Sequence, residues 1–263
     1  MDNQEEVLSG IPGTNRVTTK TAVCEKHGEY EQRIMVISFT GTPIFEGCPK
    51  CAEEDEERRR EERTRVAESL EAAERERKIR ALENMGIRKR FYETTFDTFL
   101  PSSAAEKRVL DACRGYAARK KDVAKTGENL FLVGRPGTGK NHLAVSIIRE
   151  WSGDRRILKL AEMVRDIRQA YSNHTNEQTD IERYARLDLL ALNEVGIQFG
   201  TDAERNLLFE VLDLRYENML PTILISNLNV QGIKEFVGGR VIDRLLENGT
   251  VLEFTWESYR GKK

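Results

Sequence analysis

The sequence is short of the features that mark membrane-spanning, secreted or strongly basic proteins. It contains no apolar run long enough to span a bilayer, and its polar first 21 residues lack the hydrophobic segment of a signal peptide. The formal net charge of the 263 residues is -2, so any surface for nucleic acid has to be local. The length is sufficient for one sizeable core plus a smaller module.

Cysteine is also scarce, with four residues in the chain. Cys48 and Cys51 form a Cys-x-x-Cys pair, and Cys24 lies shortly before His27. Such spacing is typical of a metal site in a reducing cytosol rather than of a disulfide framework. We predict that three thiolates and one imidazole bind Zn²⁺ tetrahedrally, with no open position for catalysis. The alternative is that the cysteines stay reduced and pack as small side chains without a metal, with His27 on the surface.

The residues around this site predict a small module at 1–52. Residues 30–45 are rich in β-formers and turn residues and predict a hairpin between the two ligand pairs. Such a module buries little apolar surface, so the metal would supply its folding energy. We expect its first 21 residues to be disordered, because they are polar.

A block of charged residues at 53–85 predicts a helical linker. Charged residues make up 33% of the chain, and the excess lies mostly in this block. Acidic residues repeatedly precede basic ones by four positions, as in Glu54/Arg58 and Glu71/Arg75, which favours a helix. Its apolar stripe is thin, which indicates a solvated spacer, roughly 45 to 50 Å long. The alternative is a helix that docks a partner or a neighbouring subunit.

A glycine-rich segment lies between a predicted buried strand at 129–133 and a predicted helix at 142–148. This order is that of a phosphate-binding loop, whose backbone N–H groups surround a phosphate while the helix dipole faces it. Lys140 would add a positive charge, and Asn141 stands where a Ser or Thr usually binds Mg²⁺. The alternative is a chance glycine turn. The loop residues are Gly134, Arg135, Pro136, Gly137, Thr138, Gly139, Lys140 and Asn141.

Strands and helices alternate after residue 86, which predicts an α/β domain at 86–263. Asn193 and Glu194 end a predicted strand, where phosphate-loop ATPases have an Asp for the Mg²⁺ shell and a Glu for the attacking water. Asn193 keeps an oxygen but lacks the charge, so we predict nucleotide binding with inefficient hydrolysis. The predicted strands are 156–160, 187–194 and 221–227, and the predicted helices are 103–119, 161–171 and 201–217.

Three further polar residues are candidates for contacts with a nucleotide. Asn227 ends a predicted strand and could sense a γ-phosphate, or simply begin a turn. Arg240 and Arg244 lie four positions apart on one predicted helix face, and either could reach a neighbouring subunit as an arginine finger. The alternative for these arginines is a salt bridge to Asp243 or Glu247.

Basic residues near the second strand could line a channel for single-stranded DNA in an oligomer, although solvation of the surface is the alternative. These residues are Arg155, Arg156, Lys159, Arg165 and Arg168.

Together these segments resemble the DnaC-type replicative helicase loaders, which are AAA+ ATPases. The segments that carry the resemblance are residues 134–144, with its Lys-Asn-His variant, 188–198, 225–228, 239–244 and 256–260. The resemblance implies a P-loop core with a parallel sheet flanked by helices. It also implies a bacterial or phage-encoded protein that uses ATP and Mg²⁺, self-assembles into a ring or spiral, and places a hexameric replicative DNA helicase on single-stranded DNA.

The resemblance also implies roles for individual residues. Lys140 and Asn141 would lie at the phosphates and the metal, Glu194 would be the hydrolytic carboxylate, Asn227 the first sensor, and Arg240 the finger. Asn193 departs from the family, which has Asp there. The zinc module is similar to the helicase-binding module of DnaI-type loaders. Two alternatives are an IstB-type transposition helper ATPase, which shares this core, and a nucleotide-binding scaffold with little hydrolysis.

Overall fold

The computed structural model describes residues 16–37, 41–172, 177–196 and 202–260. The chain divides into two compact units, Met1–Glu76 and Arg77–Lys263. Among the helices in these described ranges, none is both long and apolar enough to cross a bilayer.

The first unit contains a three-stranded antiparallel sheet in the order β1-β2-β3. Its strands are β1 (Arg16–Cys24), β2 (Gly28–Val36) and β3 (Pro43–Phe45). β2 and β3 form the hairpin that the sequence predicts. The expected disorder of residues 1–21 is wrong from Arg16 onward, because this threonine-rich segment pairs with β2 along its whole length. Residues 1–15 lie outside the described residues.

The charged block forms one helix of 36 residues, α1 (Pro49–Asn84), and none of them is buried. The predicted helix is therefore confirmed, although it begins earlier than expected, with a proline in its first turn. As a result Cys51 and Glu54 lie in the first turns of α1. The role of α1 as a spacer and the predicted domain boundaries at 52/53 and 85/86 stay predictions.

The second unit contains a five-stranded, fully parallel sheet in the order β5-β6-β7-β4-β8, with helices on both faces. This architecture confirms the predicted α/β fold. The strands are β4 (Asn129–Gly134), β5 (Arg155–Lys159), β6 (Leu189–Asn193), β7 (Thr222–Ser226) and β8 (Gly249–Phe254). The helices are α2 (Ala104–Ala118), α3 (Lys120–Thr126), α4 (Lys140–Glu150), α5 (Leu160–Ser172), α6 (Glu177–Ala185), α7 (Asp202–Glu217), α8 (Val230–Val237) and α9 (Gly239–Glu247), with a short 3₁₀ turn at Lys89–Phe91.

Alternate side chains of the central strands pack into two hydrophobic clusters, one on each face of the sheet. In β4, Leu130 and Leu132 face the cluster that includes α2 and α4, whereas Phe131 and Val133 face the cluster that includes α5, α7 and α9. Burial on both faces explains why these strands are continuous apolar runs. Cys113 is fully buried in the first cluster, as expected for a small apolar side chain.

All strands of this sheet run in the same direction, so the polar residues that end them meet at one edge. Gly134, Lys159, Asn193 and Ser226 are the last residues of β4, β5, β6 and β7. Because β8 pairs directly with β4, the segment that follows β8 begins beside the glycine-rich loop.

Candidate functional site

The glycine-rich loop connects β4 to α4, and each of its three glycines has a positive φ, which is +121° for Gly134. Gly137 has φ +78° and Gly139 has φ +95°. A Cβ atom at Gly137 would lie 2.0 Å from the Ser258 hydroxyl, and one at Gly139 would lie 2.6 Å from the Phe99 ring. Both the backbone conformation and the available space therefore require glycine at these positions.

Lys140 is the first residue of α4 and is 6% exposed. Its ammonium group donates to the carbonyls of Gly134 and Arg135, at 2.6 Å each. Burial, together with the nearby charge of Arg260, lowers the pKa of Lys140 to about 8. An anion in the loop would favour the charged lysine and raise this pKa again. The loop is therefore suited to a bound anion.

A cleft of about 950 Å³ opens between the loop and the ends of the neighbouring strands. It brings together eight of the residues singled out in the sequence: Pro136, Gly137, Gly139, Lys140, Asn141, Asn193, Glu194 and Asn227. Three other loop residues, Gly134, Arg135 and Thr138, support the loop without lining the cleft. The Thr138 hydroxyl, for example, donates to the Arg135 carbonyl at 2.7 Å. The cleft thus unites the loop with residues at the ends of two other strands.

The segment that precedes α2 contributes a largely apolar wall to the cleft. Ile87, Phe91 and Phe99 line it. His142 of α4 ties this segment to the loop helix, because its Nε2 lies 2.8 Å from the Thr95 carbonyl and its ring packs edge-on against Phe99. Burial lowers the pKa of His142. A concave site with an apolar wall and a cationic end suits a flat base that carries phosphates.

The sequence alone does not predict this wall. The signal was the mixture of basic and aromatic residues at 88–99, which by itself does not distinguish a binding wall from a core.

Glu194 is held in an unusual conformation. Its φ is +62°, which is uncommon for a residue other than glycine. Its carboxylate lies 2.8 Å from the ammonium of Lys159, and its N–H donates to the Asn193 side-chain oxygen at 2.9 Å. Asp188 lies before the other end of β6, where it accepts the Asp154 N–H at 2.7 Å. Asp188 is therefore remote from the cleft.

The two candidate finger arginines have different environments. Arg240 is exposed near the start of α9 and does not line the cleft. Arg244 instead forms an ion pair with Asp213 on α7, so the predicted alternative partners, Asp243 and Glu247, are wrong for this residue. Arg240 therefore remains the candidate for a contact in a neighbouring subunit.

Three of the five basic residues considered for DNA contact already bind groups of their own unit. Arg155 donates to a backbone carbonyl, Lys159 pairs with Glu194, and Arg168 pairs with Glu204. The two ion pairs neutralise part of the positive charge that a DNA-binding surface would need.

A second candidate site lies in the first unit. The ligand atoms of Cys24, His27, Cys48 and Cys51 all lie within 4.8 Å of one another. The sulfurs of Cys24 and Cys51 are 3.6 Å apart, and the three sulfurs lie 3.3 to 3.8 Å from Nδ1 of His27. A tetrahedral zinc ion with Zn–S bonds of about 2.3 Å places sulfurs about 3.8 Å apart. The four side chains therefore fit Zn²⁺, with Nδ1 as the imidazole ligand.

Polar neighbours support this cluster. The other ring nitrogen of His27 lies 3.1 Å from the Glu54 carboxylate, which also pairs with Lys26. A carboxylate in this position fixes the tautomer that leaves Nδ1 free to bind a metal. The backbone N–H groups of Lys26 and His27 lower the pKa of Cys24 to about 6, which favours the thiolate that a metal needs.

We expect the purified protein to retain about one zinc ion per chain, because the cluster supplies four ligands at tetrahedral spacing. Cys48→Ser should remove most of this zinc and loosen the first unit, as metal binding is coupled to folding. Zinc content measured by atomic absorption checks this, with Cys113→Ala as the matched control outside the cluster. Equal zinc content in the two variants would contradict the site.

Comparison with known proteins identifies a family and relatives that match most of the chain. Residues 54–263 match the family model described as IstB-like ATP binding protein. A protein of Buchnera aphidicola subsp. Baizongia pistaciae, named replicative helicase loader DnaC, is 31% identical over 189 residues, covering 70% of this chain and 76% of that protein.

Solved structures show the same fold. A structure described as the DnaC helicase loader superposes with a TM-score of 0.57 at 22% identity, over 64% of this chain and 99% of that one. A structure described as DnaI gives a TM-score of 0.55 at 17% identity, over 65% and 96% of the two chains. With the family match and the 31% identical relative, the chain belongs to the DnaC-type AAA+ proteins, within the IstB-like ATP binding protein family.

Proposed function

We propose that this chain is an ATP-dependent loader that binds a hexameric replicative helicase and places it on single-stranded DNA when replication begins. The observation that carries the proposal is the cleft, which gathers the loop, Glu194 and Asn227 at one edge of the sheet. The DnaC name of the relative, which is 31% identical, supports the choice of a helicase as the partner.

In this proposal ATP lies with its phosphates in the glycine-rich loop and its base against the apolar wall. The loop N–H groups and Lys140 would hold the phosphates. Asn141 and Asn193 offer amide oxygens to Mg²⁺, which would neutralise charge on the phosphates when it is bound. Asn227, at the end of β7, would contact the γ-phosphate from the far side of the loop.

The proposed basal hydrolysis is slow for two reasons. Glu194 would orient the attacking water, but its carboxylate pairs with Lys159. Asn193 offers no negative charge to anchor the metal, unlike the Asp that the family has at this position. Arg240 would act on the ATP of a neighbouring subunit in a ring or spiral, which suits its exposed position outside the cleft.

The first unit would contact the helicase, with Zn²⁺ holding its fold. Its sheet presents apolar side chains to solvent, because Val23 is 74%, Ile44 49% and Phe45 51% exposed. Exposed apolar side chains on a small metal-stabilised unit are typical of a protein interface. The charged helix α1 would serve as the linker between this unit and the ATPase domain.

A loading assay tests the proposed function. The full chain is mixed with a hexameric replicative helicase, ATP and circular single-stranded DNA, and the helicase retained on the DNA is measured. We expect the wild-type chain to increase retention, and Lys140→Ala to reduce this effect by about tenfold or more, because it removes the phosphate-binding charge.

Arg108→Gln, an exposed arginine on α2 outside the cleft, is the control and should behave as wild type. The absence of any wild-type effect on retention would contradict the loader proposal. Stimulation of a transposase instead would favour the IstB-type helper alternative.

The charge at position 193 gives a separate prediction. Asn193→Asp should raise steady-state ATP turnover by about tenfold or more, because a carboxylate restores the metal anchor. The control is Asp188→Asn, which exchanges a carboxylate for an amide near the opposite end of β6. It should leave ATP turnover unchanged. If Asn193→Asp also leaves the rate unchanged, Asn193 does not limit hydrolysis.

A further inference from the structure

His142 belongs to the loop helix, but none of the roles proposed above uses it. It lies two positions after Lys140, in the first turn of α4, and it lines the cleft. Its Nε2 lies 2.8 Å from the Thr95 carbonyl and 3.1 Å from the Thr98 hydroxyl. A carbonyl oxygen can only accept, so this nitrogen carries the proton and donates it to Thr95.

The segment that receives this hydrogen bond is a turn closed by one of its own side chains. The Thr95 N–H donates to the Thr98 hydroxyl at 2.9 Å, and that hydroxyl donates to the Thr95 carbonyl at 3.0 Å. Hydrogen bonds of this kind between a threonine hydroxyl and the nearby backbone stabilise a turn. His142 therefore holds a preformed turn, and the residue that follows the turn is Phe99.

Phe99 is the wall residue that contacts both sides of the site. Its ring is 5% exposed and packs edge-on against the His142 ring, with centroids 5.4 Å apart. Its Cε2 also lies 2.6 Å from the position that a Cβ on Gly139 would occupy, so the ring lies directly on the backbone of the glycine-rich loop. The position of the turn therefore sets the spacing between the apolar wall and the loop.

The imidazole of His142 is suited to act as a neutral donor. Burial lowers the pKa of His142, and the Thr95 carbonyl, which favours the charged form, has the smaller effect. A neutral ring donates to Thr95 without adding a second cation beside Lys140 at the positive end of α4. The contact therefore acts through position and not through charge.

A second side chain of α4 binds the same segment away from the cleft. Arg149, in the last turn of the helix, donates to the Tyr92 carbonyl at 2.6 Å and does not line the cleft. His142 holds the turn that leads into Phe99, whereas Arg149 holds the chain before that turn. Arg149 is therefore a matched comparison, because it attaches the segment to α4 without facing the site.

We propose that His142 is a positioning residue that sets the spacing between the apolar wall and the glycine-rich loop, so that the site prefers a nucleoside triphosphate to a triphosphate without a base. This inference rests on the proposed function, since it takes the loop to hold phosphates and the wall to hold the base. A base adds affinity only when it reaches the wall while its phosphates lie in the loop. A wall that is already in place reduces the ordering cost of binding.

Equilibrium binding of ATP and of inorganic tripolyphosphate to the full chain tests this inference. His142→Leu keeps a similar volume and removes the donor, so it should weaken ATP binding by about fivefold, the size expected for one lost hydrogen bond. Tripolyphosphate should bind as it does to the wild type, because the loop and Lys140 remain. His142→Gln should recover part of the affinity for ATP, since its amide N–H can donate to Thr95.

Thr98→Val tests the same connection from the other side. It keeps the shape of the side chain and removes the hydroxyl that closes the turn, so it should lower the ratio of ATP affinity to tripolyphosphate affinity as His142→Leu does. Arg149→Met is the control. It should lower the melting temperature, because the contact with Tyr92 is lost, but leave the affinity ratio as in the wild type. The same result for His142→Leu would indicate a structural role alone and overturn the inference.

The outcomes distinguish this inference from the proposed function. If the wild-type chain binds ATP and Lys140→Ala does not, but His142→Leu and Thr98→Val keep the wild-type affinity ratio, the role of His142 is wrong and the ATP site stands. Equal weakening of both ligands by His142→Leu would also overturn the inference, because the residue would then act on the loop itself. If the wild-type chain binds neither ligand, the inference and the ATP site are both overturned.

Discussion

The structure depends on a buried ammonium group that is held among backbone carbonyls at the start of a helix. Lys140 donates to two carbonyls of its own loop and is 6% exposed, yet it faces the nearby guanidinium of Arg260. A cation that is removed from water beside a second cation is destabilised, and its low pKa reflects this. A bound polyphosphate would relieve both effects, so the loop favours an anionic ligand through its electrostatics as well as its shape.

The fold places the other residues of the cleft around Lys140. The parallel strands place Lys159, Asn193 and Asn227 together at the carboxyl ends of the strands, and β8 places the segment that follows it beside the loop. His142 connects the apolar wall to α4. In the proposed function the same arrangement would keep hydrolysis slow, because Glu194 is paired with Lys159 and its neighbour at position 193 carries no charge. An ATPase with these properties would hold its nucleotide until a partner changes the site, which suits a loader better than a rapid motor.

The sequence predicts the loop from its glycines and lysine, and the central strands because each is a continuous apolar run that ends in polar residues. It does not predict β8 or α6. In β8 polar residues interrupt the apolar ones. In α6, among the residues 180–185 whose burial the structure describes, the buried ones are Ile181, Tyr184 and Ala185. The contacts of Tyr259 with Glu106 and of Lys159 with Glu194 join residues distant in sequence, and no local pattern reports them. The cluster of three cysteines and His27 was predictable, because the spacing of the two pairs can be read from the sequence alone.

Calorimetric titration of ATP into the full chain at several pH values above about pH 7.5, where phosphate groups are already ionised, tests the central claim most directly. The free site has the Lys140 pKa at about 8, and bound phosphate should raise it. Binding should therefore take up a proton near this pH, and affinity should fall as the pH rises further, whereas Lys140→Ala should show neither effect. Affinity that is independent of pH, with no proton uptake by the wild type, would contradict the account.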